Sequence, residues 1–276
     1  MDARAVKTYR YLRSSMVLLV VALAASVVVE WWQAGHDCFQ TSISAYYYTP
    51  AQAVFVGTLI AIGVCMVVLK GKPESEDTLL NIAGMLAPLV ALVPTPYEEN
   101  CFSVRLDDTE MRANVANNVS ALIVVGAAGF AVTLWLWLRS ARERRHLVGL
   151  LVSGAVLVVG TIVFCAAREF FLERAHYIAA VGMFAMIVWV AFLNARGSAE
   201  VGRQGYRKVY LSVSVLMAVS IVVGVLLGLA GVAHAVLITE ILLIALFVAF
   251  WVTQTRDLWH FGDRAELERA AERGEA

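Results

Sequence analysis

The residues of this chain that could do chemistry are concentrated between Glu30 and Gly57, in the stretch EWWQAGHDCFQTSISAYYYTPAQAVFVG. Its carboxylates, histidine and hydroxyl groups can hydrogen-bond a polar ligand or move a proton, and its serines could act as nucleophiles. Serines that alternate beside tyrosines are more often hydrogen-bonding turn residues, so both interpretations stay open. The candidate ligand-binding residues of this stretch are Glu30, His36, Ser42, Ser44, Tyr46 and Tyr48.

Three titratable side chains in the second half of the chain lie in or beside apolar stretches: His176, His234 and Glu240. A charged residue at membrane depth costs about 2.5–3.5 kcal/mol on insertion scales, so Glu240 is expected to face the protein interior with a partner. We expect these three residues and Glu30 to converge beneath residues 42–48 in one pocket. The alternative is that Glu240 is an interhelical hydrogen-bond clasp and that the histidines are scattered interface residues.

The composition predicts an all-α transmembrane bundle. Of the 276 residues, 60% are hydrophobic and 16% are charged, against about 25% charged residues in a soluble domain. Apolar runs near the length of a membrane span recur along the chain. They predict one integral membrane domain over 1–276, with a charged tail over 255–276 that forms a short amphipathic helix or is solvated. The eight predicted spans are 14–33, 51–70, 78–95, 116–138, 147–166, 175–195, 209–229 and 232–254.

The basic residues predict the orientation of these spans. Of the 22 Lys and Arg residues, all but Arg105, Arg112, Arg168 and Arg174 fall on the side that carries both termini. The positive-inside rule therefore places the termini in the cytoplasm and the pocket on the extracytoplasmic side. A first helix that is retained is favoured over a cleaved signal peptide, because the apolar run continues into Trp31 and Trp32.

The loops carry fewer signals. Cys38 and Cys101 are the two cysteines in extracytoplasmic loops, so they form a disulfide in an oxidising compartment or remain free thiols. The loop KGKPESEDT is interpreted as a polar turn without further function. The excess of Arg over Lys, with many Ala and Val residues, is typical of a bacterial chain and indicates a bacterial inner-membrane protein.

Several short motifs resemble the DRAM/Frag/Sfk family of membrane proteins. They are Ser42-Ile43-Ser44, the VFVG and LLNIAG segments, a histidine at the head of a later span (His176) and a glutamate in the last span (Glu240). The resemblance implies about six spans and a role in lipid or GPI-anchor handling or in the modulation of autophagy. The chain differs in having Ala45 where family members commonly carry an acidic residue, and in having eight predicted spans.

A fainter similarity to ceramidase-type zinc hydrolases rests on a serine, an aspartate and several histidines near one membrane face. It implies a zinc site at His176, His234 and Glu240. The His-xxx-His pair of that family is missing from the last span, so the sequence favours no metal and no other cofactor.

Three functional classes follow from these residues. The first is an integral membrane protein whose extracytoplasmic pocket binds or handles a lipid or another amphiphile. The second is a lipid hydrolase or transferase that uses the same Glu, His and Ser side chains, with or without a metal. The third is a small transporter with Glu240 as a proton-linked carboxylate. The expected partners are membrane lipids and a protein partner or a second copy of the chain, and nucleic acid is not expected.

Overall fold

The computed structural model describes residues 3–35, 39–97, 107–139, 144–232 and 234–274. All regular secondary structure in these ranges is helical, which confirms the predicted all-α class. A short 3-10 helix, Ser44–Tyr48, precedes the second α-helix. The α-helices in chain order are α1 (Ala3–Gln33), α2 (Gln52–Val68), α3 (Glu74–Leu92), α4 (Asp108–Arg139), α5 (Arg144–Ala166), α6 (Arg168–Glu200), α7 (Gln204–Leu229), α8 (Ala235–Asp257) and α9 (Arg264–Glu272).

Six of the described helices, namely α1, α4, α5, α6, α7 and α8, are long and apolar enough to cross a membrane. The chain is therefore a multi-pass membrane protein. The remaining two predicted spans correspond to α2, which is apolar but has only 17 residues, and to α3.

Helix boundaries follow from local chemistry. Pro73 precedes α3, and the acidic side chains of Glu74, Glu76 and Asp77 lie in its first turn, where they complement the partial positive charge of a helix N-terminus. Asp263 caps α9 by accepting the backbone N–H of Glu266 at 2.8 Å.

Helix α3 lies at the centre of the bundle, against α2 on one side and α6 on the other, and α1, α8 and α7 complete the packed group. The backbones of α2 and α3 approach closely because both helices carry glycine at the crossing. A Cβ on Gly84 would lie 2.6 Å from the carbonyl oxygen of Gly63, so a side chain at Gly84 does not fit. The fully buried core beside this crossing includes Met16, Met66, Ile187, Tyr210, Phe250 and Trp251.

The exposed face of the bundle is apolar. Val124 and Val125 on α4 are each 68% exposed, and only 6% of the most apolar 18-residue segment of α4 is buried within the protein. Exposed apolar surface on this scale is unfavourable in water and favourable against lipid tails. The packing therefore agrees with a membrane location for this face.

Two polar clusters lie at opposite ends of the bundle, and α8 joins them. Glu240 lies near the start of α8 and Asp257 ends it, about 25 Å apart at 1.5 Å per residue. The end of the bundle that holds Ser44 and Glu240 is the Ser44 end. The opposite end, which holds Asp257 and α9, is the α9 end.

Candidate functional site

The Ser44 end is built from five separate segments. The 3-10 helix, Ser44–Tyr48, packs on α2 and brings Ser44 over the bundle. The end of α3 supplies the backbone of Val93, the first part of α6 supplies His176, and α8 supplies Glu240. The three side chains meet although they are far apart in the chain.

Ser44 is the shared partner in this cluster. Its Oγ lies 2.9 Å from Oε1 of Glu240 and 2.9 Å from Nε2 of His176. The other ring nitrogen of His176, Nδ1, lies 2.7 Å from the carbonyl oxygen of Val93. A carbonyl oxygen can only accept a hydrogen bond, so Nδ1 carries the proton and the orientation of the ring is fixed. Ser44 and His176 are only 4% and 2% exposed.

Glu240 also ties the 3-10 helix to α8. Its Oε2 accepts the backbone N–H of Ile43, directly before the helix begins. A carboxylate at this position satisfies donors at a helix N-terminus that otherwise lack partners. The interhelical clasp expected as an alternative role for Glu240 is therefore present, and it includes both the backbone of Ile43 and the hydroxyl of Ser44.

The remaining hydroxyl groups of this segment hold its shape. Ser42 Oγ accepts the backbone N–H of Ala45 at 3.0 Å, and Tyr48 donates its hydroxyl to the carbonyl oxygen of Thr95 at 2.6 Å. Burial raises the pKa of the Tyr48 phenol, so this group stays a protonated donor at neutral pH. Ser42 and Tyr48 thus serve as structural hydrogen-bonding groups.

Tyr46 is buried in the same 3-10 helix, close to Glu30 at the end of α1. Burial raises the pKa of the Tyr46 phenol, and the negative charge of Glu30 raises it further. Glu30 itself is only 7% exposed. These two predicted site residues therefore lie at the same end of the bundle as Ser44.

A cavity of about 580 Å³ opens beside the Ser44, His176 and Glu240 cluster, and α1, α2, α3, α6, α7 and α8 line it. Its polar lining at this end also includes Arg174 and Thr239. Arg174 is exposed and has no hydrogen bond or ion pair with the residues that the structure describes. Deeper in the bundle the lining is apolar and includes Leu59, Ile62, Met183, Phe184, Leu243 and Phe247.

The structure does not bring every predicted residue to this site. His234 is exposed at the N-cap of α8 with a φ of 57°, and it does not line the cavity. His36, Cys38 and Cys101 lie outside the described residues, so the pocket role of His36 and the disulfide remain predictions. The described cysteines, Cys65 and Cys165, are free thiols.

The zinc site implied by the ceramidase-type similarity needs at least three ligands close together. Within the described ranges no group of three or more His, Cys, Asp and Glu side chains is arranged to hold a metal ion. His176 is already bonded through both ring nitrogens, and His234 lies away from it at the head of α8. The described residues therefore do not fit a zinc site made of His176, His234 and Glu240.

The α9 end holds a second polar cluster that was not predicted from the sequence. Asp257 accepts from Arg203 at 2.6 Å and from Arg264 of α9 at 3.0 Å, and the Tyr210 hydroxyl donates to it at 3.2 Å. Asp257 is 1% exposed and Arg264 is 3% exposed. The C-terminal tail is therefore a helix anchored to the bundle through Arg264.

The same cluster continues to α1 and α3. Asn194 donates to Glu76 at 2.8 Å, Gln254 donates to the same Glu76 oxygen at 3.3 Å, and Arg13 donates to Gln254 at 2.9 Å. Glu76 is 3% exposed. The interpretation of KGKPESEDT as only a polar turn is therefore wrong at Glu76, because this side chain points into the bundle and joins three helices.

Comparison of the chain with protein-family models, with curated proteins and with solved structures returned no match.

Proposed function

We propose that this protein binds an amphiphile, with its acyl chain in the cavity and its polar head at the Ser44 end. The observation that carries the proposal is the distribution of polarity in the cavity. Ser44, His176, Arg174 and Glu240 line one end, and the lining beyond them is apolar. A volume of about 580 Å³ is within the range of pockets that hold small ligands.

The dimensions of the cavity favour an extended chain. Its lining runs along α6 from Arg174 to Phe184, about 15 Å at 1.5 Å per residue, and along α8 from Glu240 to Phe247, about 10 Å. A ligand with one polar end and a long apolar body matches this shape. The guanidinium of Arg174 at the polar end has no partner among the residues that the structure describes, and it favours a head that carries a carboxylate or a phosphate.

We propose further that the chain crosses the membrane eight times, with both termini in the cytoplasm. In this arrangement α2 and α3 span together with the six long helices, and the Ser44 end faces the extracytoplasmic side. The distribution of Lys and Arg supports this orientation. A location in a bacterial inner membrane and the relationship to the DRAM/Frag/Sfk family remain predictions from the sequence.

Photo-crosslinking with a diazirine-bearing palmitic acid tests the binding proposal. The membrane-embedded protein is irradiated with the probe, and the labelled peptides are identified by mass spectrometry. We expect labelling to concentrate on α6 and α8 residues that line the cavity. Ala180→Phe should abolish it by filling the cavity, whereas Ala128→Phe on the exposed face of α4 should not.

The contrary result is labelling spread evenly over the exposed faces of α4 and α5 and unchanged by Ala180→Phe. The cavity would then be no binding site, and the proposal would be withdrawn.

A further inference from the structure

Ser44, His176 and the carbonyl of Val93 form a hydrogen-bonded series. Its geometry is that of a nucleophile (Ser44), a general base (His176) and a group that orients the base (Val93). Ser44 Oγ lies 2.9 Å from Nε2 of His176, within the hydrogen-bond reach that proton transfer requires. Val93 fixes the ring from the other side through its carbonyl oxygen, 2.7 Å from Nδ1. In its neutral form His176 therefore presents an unprotonated Nε2 to Ser44.

Glu240 bonds the same Ser44 hydroxyl as His176, so the protons of the three groups depend on one another. The Ser44 hydroxyl has a single proton, but Glu240 Oε1 and His176 Nε2 each lie 2.9 Å from its oxygen. When the proton points to His176, the carboxyl of Glu240 must carry a proton to bond Ser44. When the Ser44 proton points to Glu240, Nε2 of His176 must carry a proton to bond Ser44. The two arrangements hold the same number of protons, so a shift along the three groups interconverts them.

Ser44 and His176 lie at the end of the cavity where the polar head of a bound amphiphile would be. Ser44 and His176 line the polar end of the cavity, and the apolar lining begins beside them. An acyl chain that fills the apolar part places its carboxyl carbon at this end. In an acyl lipid that carbon belongs to an ester bond.

From this geometry, and on the basis of the proposed amphiphile binding, we infer that Ser44 and His176 cleave the carboxylic ester of an acyl lipid held in the cavity. Ser44 is assigned as the nucleophile and His176 as the general base. Glu240 is a positioning residue, because it holds the Ser44 hydroxyl in place through a hydrogen bond and is not assigned a bond to the substrate.

The reaction balances without a metal or an oxidant. Ser44 Oγ bonds to the carbonyl carbon while its proton passes to Nε2 of His176. The bond between that carbon and the alcohol oxygen then breaks, and Nε2 returns the proton to the leaving alcohol. Water attacks the resulting acyl-Ser44 ester, again losing a proton to Nε2, and Ser44 leaves with that proton. The net change is one ester and one water converted to one acid and one alcohol.

The test is covalent labelling of the membrane-embedded full chain with hexadecyl fluorophosphonate, followed by intact-mass and peptide analysis. We expect one adduct per chain, on Ser44, with loss of fluoride. Hydrolysis of 4-nitrophenyl decanoate by the wild-type protein should fall in proportion to adduct formation. Ser44→Ala should take up no probe, while Ser220→Ala, which removes a serine bonded within α7, should label at the wild-type rate.

His176→Asn should slow labelling of Ser44 by 100-fold or more, about the lower end of the effect of a lost general base. Its folding is checked by its thermal unfolding midpoint and by cross-linking to the diazirine palmitate. Two results would overturn the inference: a wild-type chain with no adduct on Ser44, or a folded His176→Asn chain labelled at the wild-type rate. If the wild type gives no Ser44 adduct but still cross-links to the diazirine palmitate, the proposed amphiphile binding stands and only ester cleavage is overturned. If the wild type gives neither the adduct nor the cross-link, both proposals are overturned.

Discussion

The Ser44 hydroxyl and the Glu240 carboxyl lie 2.9 Å apart, although 196 residues separate them in the chain. This contact joins the segment after α1 to α8 and closes the Ser44 end of the bundle. Glu240 also accepts the backbone N–H of Ile43, so one carboxyl group bonds both a backbone N–H and the Ser44 hydroxyl away from water. The contact therefore supports the fold whether or not the site is catalytic.

The first prediction concerns the loss of this clasp. Glu240→Ala leaves the Ile43 N–H and the Ser44 hydroxyl without this acceptor, and each unsatisfied buried group costs about 1–3 kcal/mol. We expect a clear fall in the thermal unfolding midpoint in detergent. Glu240→Gln keeps an acceptor oxygen and should lose less than half as much.

The matched control is Ile241→Ala, the next residue of α8, whose side chain is 50% exposed. Equal destabilisation by Glu240→Ala and Ile241→Ala would mean that the clasp adds nothing to stability.

The second prediction concerns the attachment of α9. Arg264→Met removes the guanidinium that bonds Asp257 and Asn194, and breaking a buried ion pair from one side costs about 3–5 kcal/mol. We expect the amides of α9 to exchange with solvent as fast as those of an unfolded segment, measured by hydrogen exchange with mass spectrometry. Glu272→Ala, at an exposed position of the same helix, should leave exchange unchanged. Protection of α9 in Arg264→Met would show that Leu267 and Ala270 suffice to hold the helix.

The third prediction is a pH dependence at the α9 end. Burial raises the pKa of Glu76 to about 6 from its ordinary value of 4.5, and the Asn194 hydrogen bond and the charges of Arg264 and Arg13 only partly oppose it. A carboxyl group whose pKa is raised on folding stabilises the fold fully below pH 4.5, and this contribution is lost as the pH rises through about 6. The loss amounts to about 2 kcal/mol, from the free energy of one pKa unit.

The measurement for Glu76 is the unfolding midpoint in detergent between pH 4.5 and 8. We expect a decrease in the wild type that is absent from Glu76→Gln, which keeps an oxygen to accept from Asn194 and Gln254. The same decrease in both proteins would assign the pH dependence to another group.

The two ends of the bundle differ in how far the sequence could predict them. Glu240 stood out because a carboxylate inside an apolar run needs a partner, and that requirement was enough to expect a polar site near it. Which partners it meets could not be predicted, because Ile43 and Ser44 lie 197 and 196 residues away in the chain. His234 had the same signal as His176, a histidine at the mouth of a span. Only the packing shows that His176 points inward and that His234 is exposed.

The α9 end was missed for a different physical reason. Arg13, Glu76, Asp257 and Arg264 lie in charged stretches next to the predicted spans, where each charge has an ordinary explanation as a solvated residue or a determinant of orientation. They are buried because they bond one another or polar side chains of neighbouring helices, among them Asn194 and Gln254. A Cβ added at Gly197 would lie 2.7 Å from Cδ of Arg264, so only glycine leaves room for Arg264 at this position. The reason for this glycine can be recognised only once the fold is known.

The fourth prediction tests the proposed orientation. In a background without native cysteines, Glu110→Cys at the start of α4 and Glu272→Cys at the end of α9 both place a thiol at an exposed position. A membrane-impermeant maleimide applied to intact cells should label Glu110→Cys and should label Glu272→Cys only after the cells are opened. Labelling of both from outside would contradict a cytoplasmic C-terminus. Labelling only of Glu272→Cys would reverse the orientation and place the Ser44 end on the cytoplasmic side.

The last prediction concerns the crossing of α2 and α3, which sets the distance between the helices that support both polar ends. A Cβ on Gly84 would lie 2.6 Å from the Gly63 carbonyl oxygen and 2.6 Å from Cγ2 of Val67, so α2 and α3 would have to move apart to admit it. Gly84→Ala should therefore lower the unfolding midpoint sharply, by an amount typical of an overpacked core, about 1–3 kcal/mol. Gly129→Ala on α4 is the matched control, because nothing lies within 4 Å of the added Cβ. There the substitution should be neutral or stabilising, since alanine is the better helix former by about 1 kcal/mol. Similar midpoints for the two variants would show that α2 and α3 separate readily, and the close crossing would then not position the Ser44 end.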